Sequence, residues 1–138
     1  MAFILDASAA LPWCFKDEAS QALNALLFRL TTGEPAVVPA HWAIEVGNAL
    51  LMAIRRTRIP YEDVVEFLTD LTSLPIELDR TETNLIRVSI LPLAEKHKLT
   101  LYDAAYLELA LRLNLPLATL DRELRKAAKL ESIPLIAI

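Results

Sequence analysis

One cysteine, two glycines and two histidines in 138 residues remove several kinds of chemistry before any motif is read. Cys14 alone forms no internal disulfide, and no basic region precedes the apolar N-terminal residues, so neither secretion nor oxidative folding is expected and the cytoplasm is the default compartment. Gly33 and Gly47 are too few and too far apart for a glycine-rich phosphate loop, and there is no G-x-S-x-G elbow. NTPases, dinucleotide-binding dehydrogenases and α/β-hydrolases are thereby disfavoured. His41 and His97 each lack a second histidine at ligand spacing, which speaks against zinc. No uncharged apolar run reaches the ~18 residues that a membrane span needs. The mean hydropathy of +0.36 is nevertheless high, so some apolar surface is expected to be covered by a partner.

The length suits a single domain, residues 1–138, and a hydrophobic content of 54% fills an ordinary core. Strand and helix signals alternate. Short apolar runs at 2–5, 36–38, 76–78, 117–120 and 135–138 read as strands. Between them, helices are expected over 7–15 with Ser8 as cap, 18–30, 40–56, 60–74, 81–98 with a kink or break at Pro92, 102–113 and 122–130. This alternation implies an α/β domain whose parallel sheet is covered on both faces.

Four acidic residues then stand out. Asp6 and Asp121 end apolar runs, where an open α/β sheet binds its ligands. Asp103 opens a helix behind Thr100 in a capping-box-like start. Each of these three has an ordinary alternative role as a helix cap or dipole partner, worth about 0.5–2 kcal/mol. Glu45 differs, since it lies within a largely apolar helix with His41, Trp42, Asn48 and Ala49 at helical spacing and no Lys or Arg to pair it. A buried unpaired carboxylate costs several kcal/mol, and coordination of a cation would offset that cost, with Asn48 as a hydrogen-bonding support. An all-carboxylate set selects Mg²⁺ or Mn²⁺ over Zn²⁺. Such a site cleaves phosphodiesters with metal-activated water and needs no nucleophilic side chain.

A net charge of −4 is unusual for a protein that touches nucleic acid. The cations, however, are clustered: Arg55, Arg56 and Arg58; Lys96 and Lys98 around His97; and Arg122, Arg125, Lys126 and Lys129 directly after Asp121. Taken one at a time, such runs are better explained as solvated helix faces or C-terminal dipole partners than as ligand-binding groups, and only the place of the last cluster, beside a candidate site residue, favours binding.

The segments Ile4-Leu5-Asp6-Ala7-Ser8-Ala9, Val38-Pro39-Ala40 through Glu45-Val46-Gly47-Asn48-Ala49-Leu50, Leu99 to Leu107 around Asp103, and Leu117-Ala118-Thr119-Leu120-Asp121 carry a resemblance across nearly the whole chain. In order and spacing they resemble the PIN-domain ribonucleases, especially toxins of the VapC type. The resemblance implies a three-layer α/β/α fold with a five-stranded parallel sheet in the order 3-2-1-4-5. It implies Asp6 and Asp103 as principal metal ligands, Glu45 and Asp121 completing the quartet, and Ser8 and Thr119 as supporting polar residues. It also implies Mg²⁺- or Mn²⁺-dependent endoribonuclease activity, an RNA substrate, a cognate antitoxin and a homodimer. Two residues depart from the pattern: Pro92 interrupts a helix, and Lys98 stands where a glycine often ends it.

Two other readings compete. A receiver-type signalling domain has the same kind of sheet, and Asp79 could act as its phosphoacceptor, but 133–138 lacks the lysine that ends its fifth strand. A non-catalytic PIN-like binding module would have no reason to carry Glu45 inside its core.

Overall fold

A computed structural model describes residues 1–138. Four parallel strands form the central sheet: β1 (Phe3–Leu5), β2 (Ala36–Pro39), β3 (Ile76–Asp79) and β4 (Leu117–Ala118), in the order β3-β2-β1-β4. β1 and β2 are buried throughout, as expected for short apolar strands covered on both faces. Because β1 lies between β2 and β4, the strand order reverses there, and the carboxyl ends of β1 and β4 open the crevice that holds the site.

The expected fifth strand is reduced to a single bridge, and the 3-2-1-4-5 sheet to four strands. Leu135 pairs parallel to Leu117, with Leu117 N donating to Pro134 O at 2.9 Å and Ile136 N to Leu117 O at 2.9 Å. The place is the expected edge, next to β4. Pro134 has no amide hydrogen for a ladder, and β4 offers only two residues to pair with.

The helices are α1 (Ala7–Ala10), α2 (Gln21–Thr31), α3 (Trp42–Arg55), α4 (Tyr61–Leu71), α5 (Thr83–Leu85), α6 (Leu91–His97), α7 (Leu101–Leu113) and α8 (Arg122–Leu130). The stretch expected as one helix over 7–15 continues from α1 as a tighter 3-10 turn at Leu11–Cys14, with Pro12 in its first turn. α2 begins at Ser20, whose side chain accepts from Leu23 N at 3.1 Å, rather than at Glu18. Gly33 then turns the chain with φ of +100°, a conformation open to glycine.

The segment around Pro92 shows how the chain tolerates a proline. Between α5 and α6, Ile86–Ile90 widens into one π-helical turn, and Pro92 falls within the first turn of α6, where its missing amide is harmless. Lys98 ends α6 in the left-handed conformation, φ 56° and ψ 41°, the geometry that a glycine would adopt without strain.

α7 is buried along most of its length, from Ala104 to Ala110, and forms the main helix against the sheet. α8 is strongly one-sided: Leu124, Ala127 and Ala128 are buried and its cations face outward. No helix is long and apolar enough to cross a membrane.

Candidate active site

Asp6 follows β1 directly, and its backbone N donates to Ala118 O at 3.0 Å, so it is held by the sheet. It occupies the N-cap position of α1 but makes no capping hydrogen bond. Instead its carboxylate is buried, 4% exposed, and Oδ2 accepts from Ser8 Oγ at 2.6 Å and Thr119 Oγ1 at 2.7 Å. Ser8 is therefore not the helix cap expected from sequence; it faces the carboxylate.

Each hydroxyl has one proton, and both protons are spent on Asp6. The 3.2 Å approach between Ser8 Oγ and Thr119 Oγ1 is then a contact without a bond of its own. The two oxygens still accept, Ser8 from Leu120 N at 2.9 Å and Thr119 from Asp121 N at 3.0 Å. This network ties the ends of β1 and β4 together and leaves Asp6 Oδ1 with no protein donor. Burial pushes the Asp6 carboxyl above its ordinary range, the two hydroxyls pull it down, and the charges of Glu45 and Asp121 push it up again.

Glu45 differs from the buried, unpaired carboxylate anticipated above. Its side chain is 31% exposed, Tyr106 donates its hydroxyl to Oε1 at 2.6 Å, and His41 Nε2 lies 3.1 Å from the same oxygen. Burial raises the Glu45 pKa, but the His41 and Tyr106 interactions outweigh it, and the net direction is down. The His41 contact is badly angled for a hydrogen bond, and Nε2 has no other partner. His41 also meets the rings of Tyr102 and Tyr106 edge-on, at 5.3 and 5.5 Å between centroids. Asn48, one turn further along α3, is exposed and makes no side-chain bond to Glu45.

Tyr106 carries a role that sequence reading missed. It is fully buried in α7, one turn after Asp103, and a buried tyrosine hydroxyl needs a partner. Holding Oε1 fixes which Glu45 oxygen remains free. A Tyr106→Phe substitution is expected to reduce metal-dependent cleavage about 10–100-fold, the usual effect of losing a residue that orients a ligand. Comparing cleavage rates across a metal titration checks this, and an unchanged rate would show that Glu45 needs no orienting.

Asp103 lies in the first turn of α7, whose Thr100 cap accepts from Asp103 N at 3.2 Å. Its own pKa is pushed up to about 6, first by burial and then by the charges of Asp121, Asp6 and Glu45. Asp6 and Asp103 therefore both feel the negative charges of other carboxylates at the crevice. Asp121 caps α8, with Oδ1 accepting from Leu124 N at 2.8 Å, so the ordinary alternative holds for one of its oxygens and leaves the other free.

No three of these side chains converge closely enough to hold one ion as they stand. Their chemistry nonetheless fits a hard divalent cation: all donors are carboxylate oxygens, Asp6 Oδ1 has no protein donor, and no Lys or Arg is paired with Asp6, Glu45, Asp103 or Asp121. Asp6 and Asp103, both with raised pKa values, would gain most from a positive charge among them.

Two further charged clusters are structural. Glu108 is buried and bonded by Arg112 Nε at 2.6 Å, and Arg112 reaches on to Asp79 at 2.6 Å, joining α7 to the end of β3. Asp79 is thus occupied, which removes the phosphoacceptor of the receiver-type alternative. Glu131 accepts from Lys96 at 2.7 Å and lies 2.6 Å from His97 Nε2, linking α6 to the end of α8. Of the aromatics that could offer a platform for bases, Trp42 is buried, Trp13 is half-buried with Nε1 donating to Leu23 O, and Tyr61 is exposed. A markedly apolar groove of about 470 Å³, which includes Trp42, Val46, Leu68 and Leu71, contains none of the four carboxylates.

Comparison with known proteins agrees with this geometry. The PIN domain family model matches residues 3–130. The chain is 31% identical over 124 residues to Ribonuclease VapC12 of Mycobacterium tuberculosis, in both strains CDC 1551 / Oshkosh and ATCC 25618 / H37Rv, covering 90% of each chain. The crystal structure of PAE2754 from Pyrobaculum aerophilum superposes with a TM-score of 0.72 at 24% identity, covering 92% of this chain and 79% of that one, and supports the fold.

Proposed function

We propose, from the premise that this chain belongs to the PIN-domain family and to its VapC-type members, that it is a Mg²⁺- or Mn²⁺-dependent endoribonuclease acting as the toxin of a toxin–antitoxin pair. The observation that carries the reading is that Asp6, Glu45, Asp103 and Asp121 border one crevice, where burial first, and then the charges of Asp121, Asp6 and Glu45, push the Asp103 pKa up to about 6. A stable fold has no use for such repulsion, whereas a cation-dependent site does.

Bound divalent ions would supply an activated water and stabilise charge on the phosphate and its leaving oxygen. The protein's share is placement. Asp6 and Asp103 are the principal ligands, with Glu45 and Asp121 beside them. Ser8 and Thr119 hold Asp6 Oδ2 and turn Oδ1 toward the crevice, Tyr106 fixes Glu45 Oε1, and the α8 cap holds Asp121 Oδ1. Asn48 stands near Glu45 in sequence and is available to a bound substrate or ligand. The cognate antitoxin, a homodimeric assembly and a cytoplasmic location belong to the same proposal.

The chemistry of the products tests it. Attack by water leaves no 2′,3′-cyclic phosphate, whereas attack by the neighbouring 2′-hydroxyl does. Mass analysis of fragments from a defined RNA should show no cyclic ends in Mg²⁺ or Mn²⁺. Cyclic ends that form equally well in chelator would contradict the assignment. A protein that bound cations without cleaving any RNA would instead fit the non-catalytic module.

A further inference from the structure

Of the 14 cations of this chain, Arg29, Arg58, Lys96, Lys98 and Arg112 each face a carboxylate, and the other nine do not. Arg122, Arg125, Lys126 and Lys129 share one face of α8, and none of them meets an acidic side chain, although the chain carries 18 acidic residues against 14 basic ones.

The pattern works against the helix that carries it. Arg122 with Lys126 and Arg125 with Lys129 are like charges one turn apart, which destabilises a helix. Arg122 stands in the first turn, where the dipole disfavours a cation; only Lys129, in the last turn, is placed as the dipole prefers. Folding therefore does not explain the cluster.

Its position does. Asp121 caps α8, so the basic face begins at the carboxylate crevice and runs away from it, about 10 Å from Arg122 to Lys129 at the helical rise. Arg125 Nη1 donates to Thr119 O at 2.9 Å, which anchors the near end to the site strand. Together with Leu120 and Leu130 these four residues line an open groove of about 560 Å³. Lys126 and Leu130 also line a neighbouring groove of about 220 Å³ that reaches Lys96 and Lys98, with Glu123 as the one carboxylate in its lining, so basic side chains extend toward the end of α6. Leu120 and Leu130 are 41% and 69% exposed and offer unstacked bases an apolar edge beside the cations.

We infer that the outer face of α8 is a track for the phosphate backbone of single-stranded RNA, holding the strand on one side of the bond that the carboxylate site cleaves. The inference rests on the ribonuclease reading. Unpaired cations beside a negatively charged cleavage site offset the repulsion between RNA and protein, and their loss reduces affinity in a salt-dependent way.

The test uses the full chain carrying Asp6→Asn, so that RNA survives, with and without Arg122→Gln, Lys126→Gln and Lys129→Gln together. Arg125 is left alone because it bonds to the site strand. The probe is a fluorescein-labelled, mixed-sequence single-stranded RNA of about 20 nucleotides in Mg²⁺, titrated at several salt concentrations. Neutralisation should weaken binding at least about tenfold near 0.1 M salt and make the log–log salt slope shallower by about 2, as expected for three lost phosphate contacts. Lys126→Arg with Lys129→Arg should preserve both quantities, and the neutralised protein should melt no lower than its parent.

Unchanged affinity and slope would overturn the inference. So would an equal loss on neutralising Arg55 and Arg56 instead, which would show a general charge effect. Retained RNA binding with loss of polyglutamate binding would overturn it in favour of an acidic protein partner. Catalysis fails separately: a wild type that binds RNA through α8 but never cleaves it sinks the ribonuclease reading and leaves the track, while a cleaving wild type whose neutralised form binds normally does the reverse.

Discussion

Asp103→Asn should abolish metal-dependent cleavage, by about a thousandfold or more, while making the metal-free protein more stable at neutral pH. The loss follows from removing a principal ligand. The gain follows from the raised pKa, which moves from an ordinary 3.8 to about 6. A carboxyl raised in the folded state contributes stability that is fully present below its unfolded pKa and lost as pH rises through the folded value. At pH 7 the native protein has therefore lost that contribution, and asparagine avoids the penalty. The displacement corresponds to about 3 kcal/mol before screening, and to about 1 kcal/mol once the half-exposed setting of the group is allowed for. Denaturant unfolding in chelator should show the advantage at pH 7, its decline as pH falls below about 6, and its disappearance below the ordinary carboxyl pKa of 3.8.

Glu45→Gln makes the instructive contrast. Cleavage should fall as far, but stability should drop by about 0.5–1 kcal/mol, because Tyr106 and His41 together lower the Glu45 pKa and the amide loses the charge they favour. Equal stability changes for the two variants would mean that the crevice does not separate a repelled carboxylate from a supported one.

Divalent cations should have the second large effect. With Mg²⁺ or Mn²⁺ about a hundredfold above its dissociation constant, stability should rise by about 2–3 kcal/mol, a melting shift of several degrees. Chelator should remove both the shift and the activity. The shift should shrink toward pH 5, since Asp103, with its pKa raised to about 6, exchanges the cation for a proton there. A melting temperature indifferent to these ions at every pH would leave the four charges without a purpose.

Much of this was legible in the sequence because its signals were local. Alternating apolar runs and helical spacing locate the strands and most helices, and Asp6 and Asp121 sit where runs end at the sheet's crevice. What escaped depends on partners far apart in the chain. Tyr106 lies 61 residues from the carboxylate it holds, whereas Thr119, 113 residues from Asp6, was reached only through the family resemblance. Glu45 was misjudged for a nearer reason: His41, one turn earlier, was within reach, and a helix that reads as apolar nearly all round still exposes Ile44 and Asn48. The fifth strand was overstated because Leu135 to Ile138 is apolar enough for a strand, while the short β4 beside it limits the pairing to one bridge. Lys98 shows that a position can keep its left-handed geometry when the residue best suited to it is missing.

The most direct measurement of the central claim is cleavage of a total-RNA pool by the purified chain in Mg²⁺ or Mn²⁺, in chelator, and with Asp6→Asn as the control for contaminating nucleases. Discrete fragments that require the cation and vanish with the variant are the expected result. Fragments that persist in the variant, or no cleavage of any RNA in a protein shown to bind the cation, would contradict it.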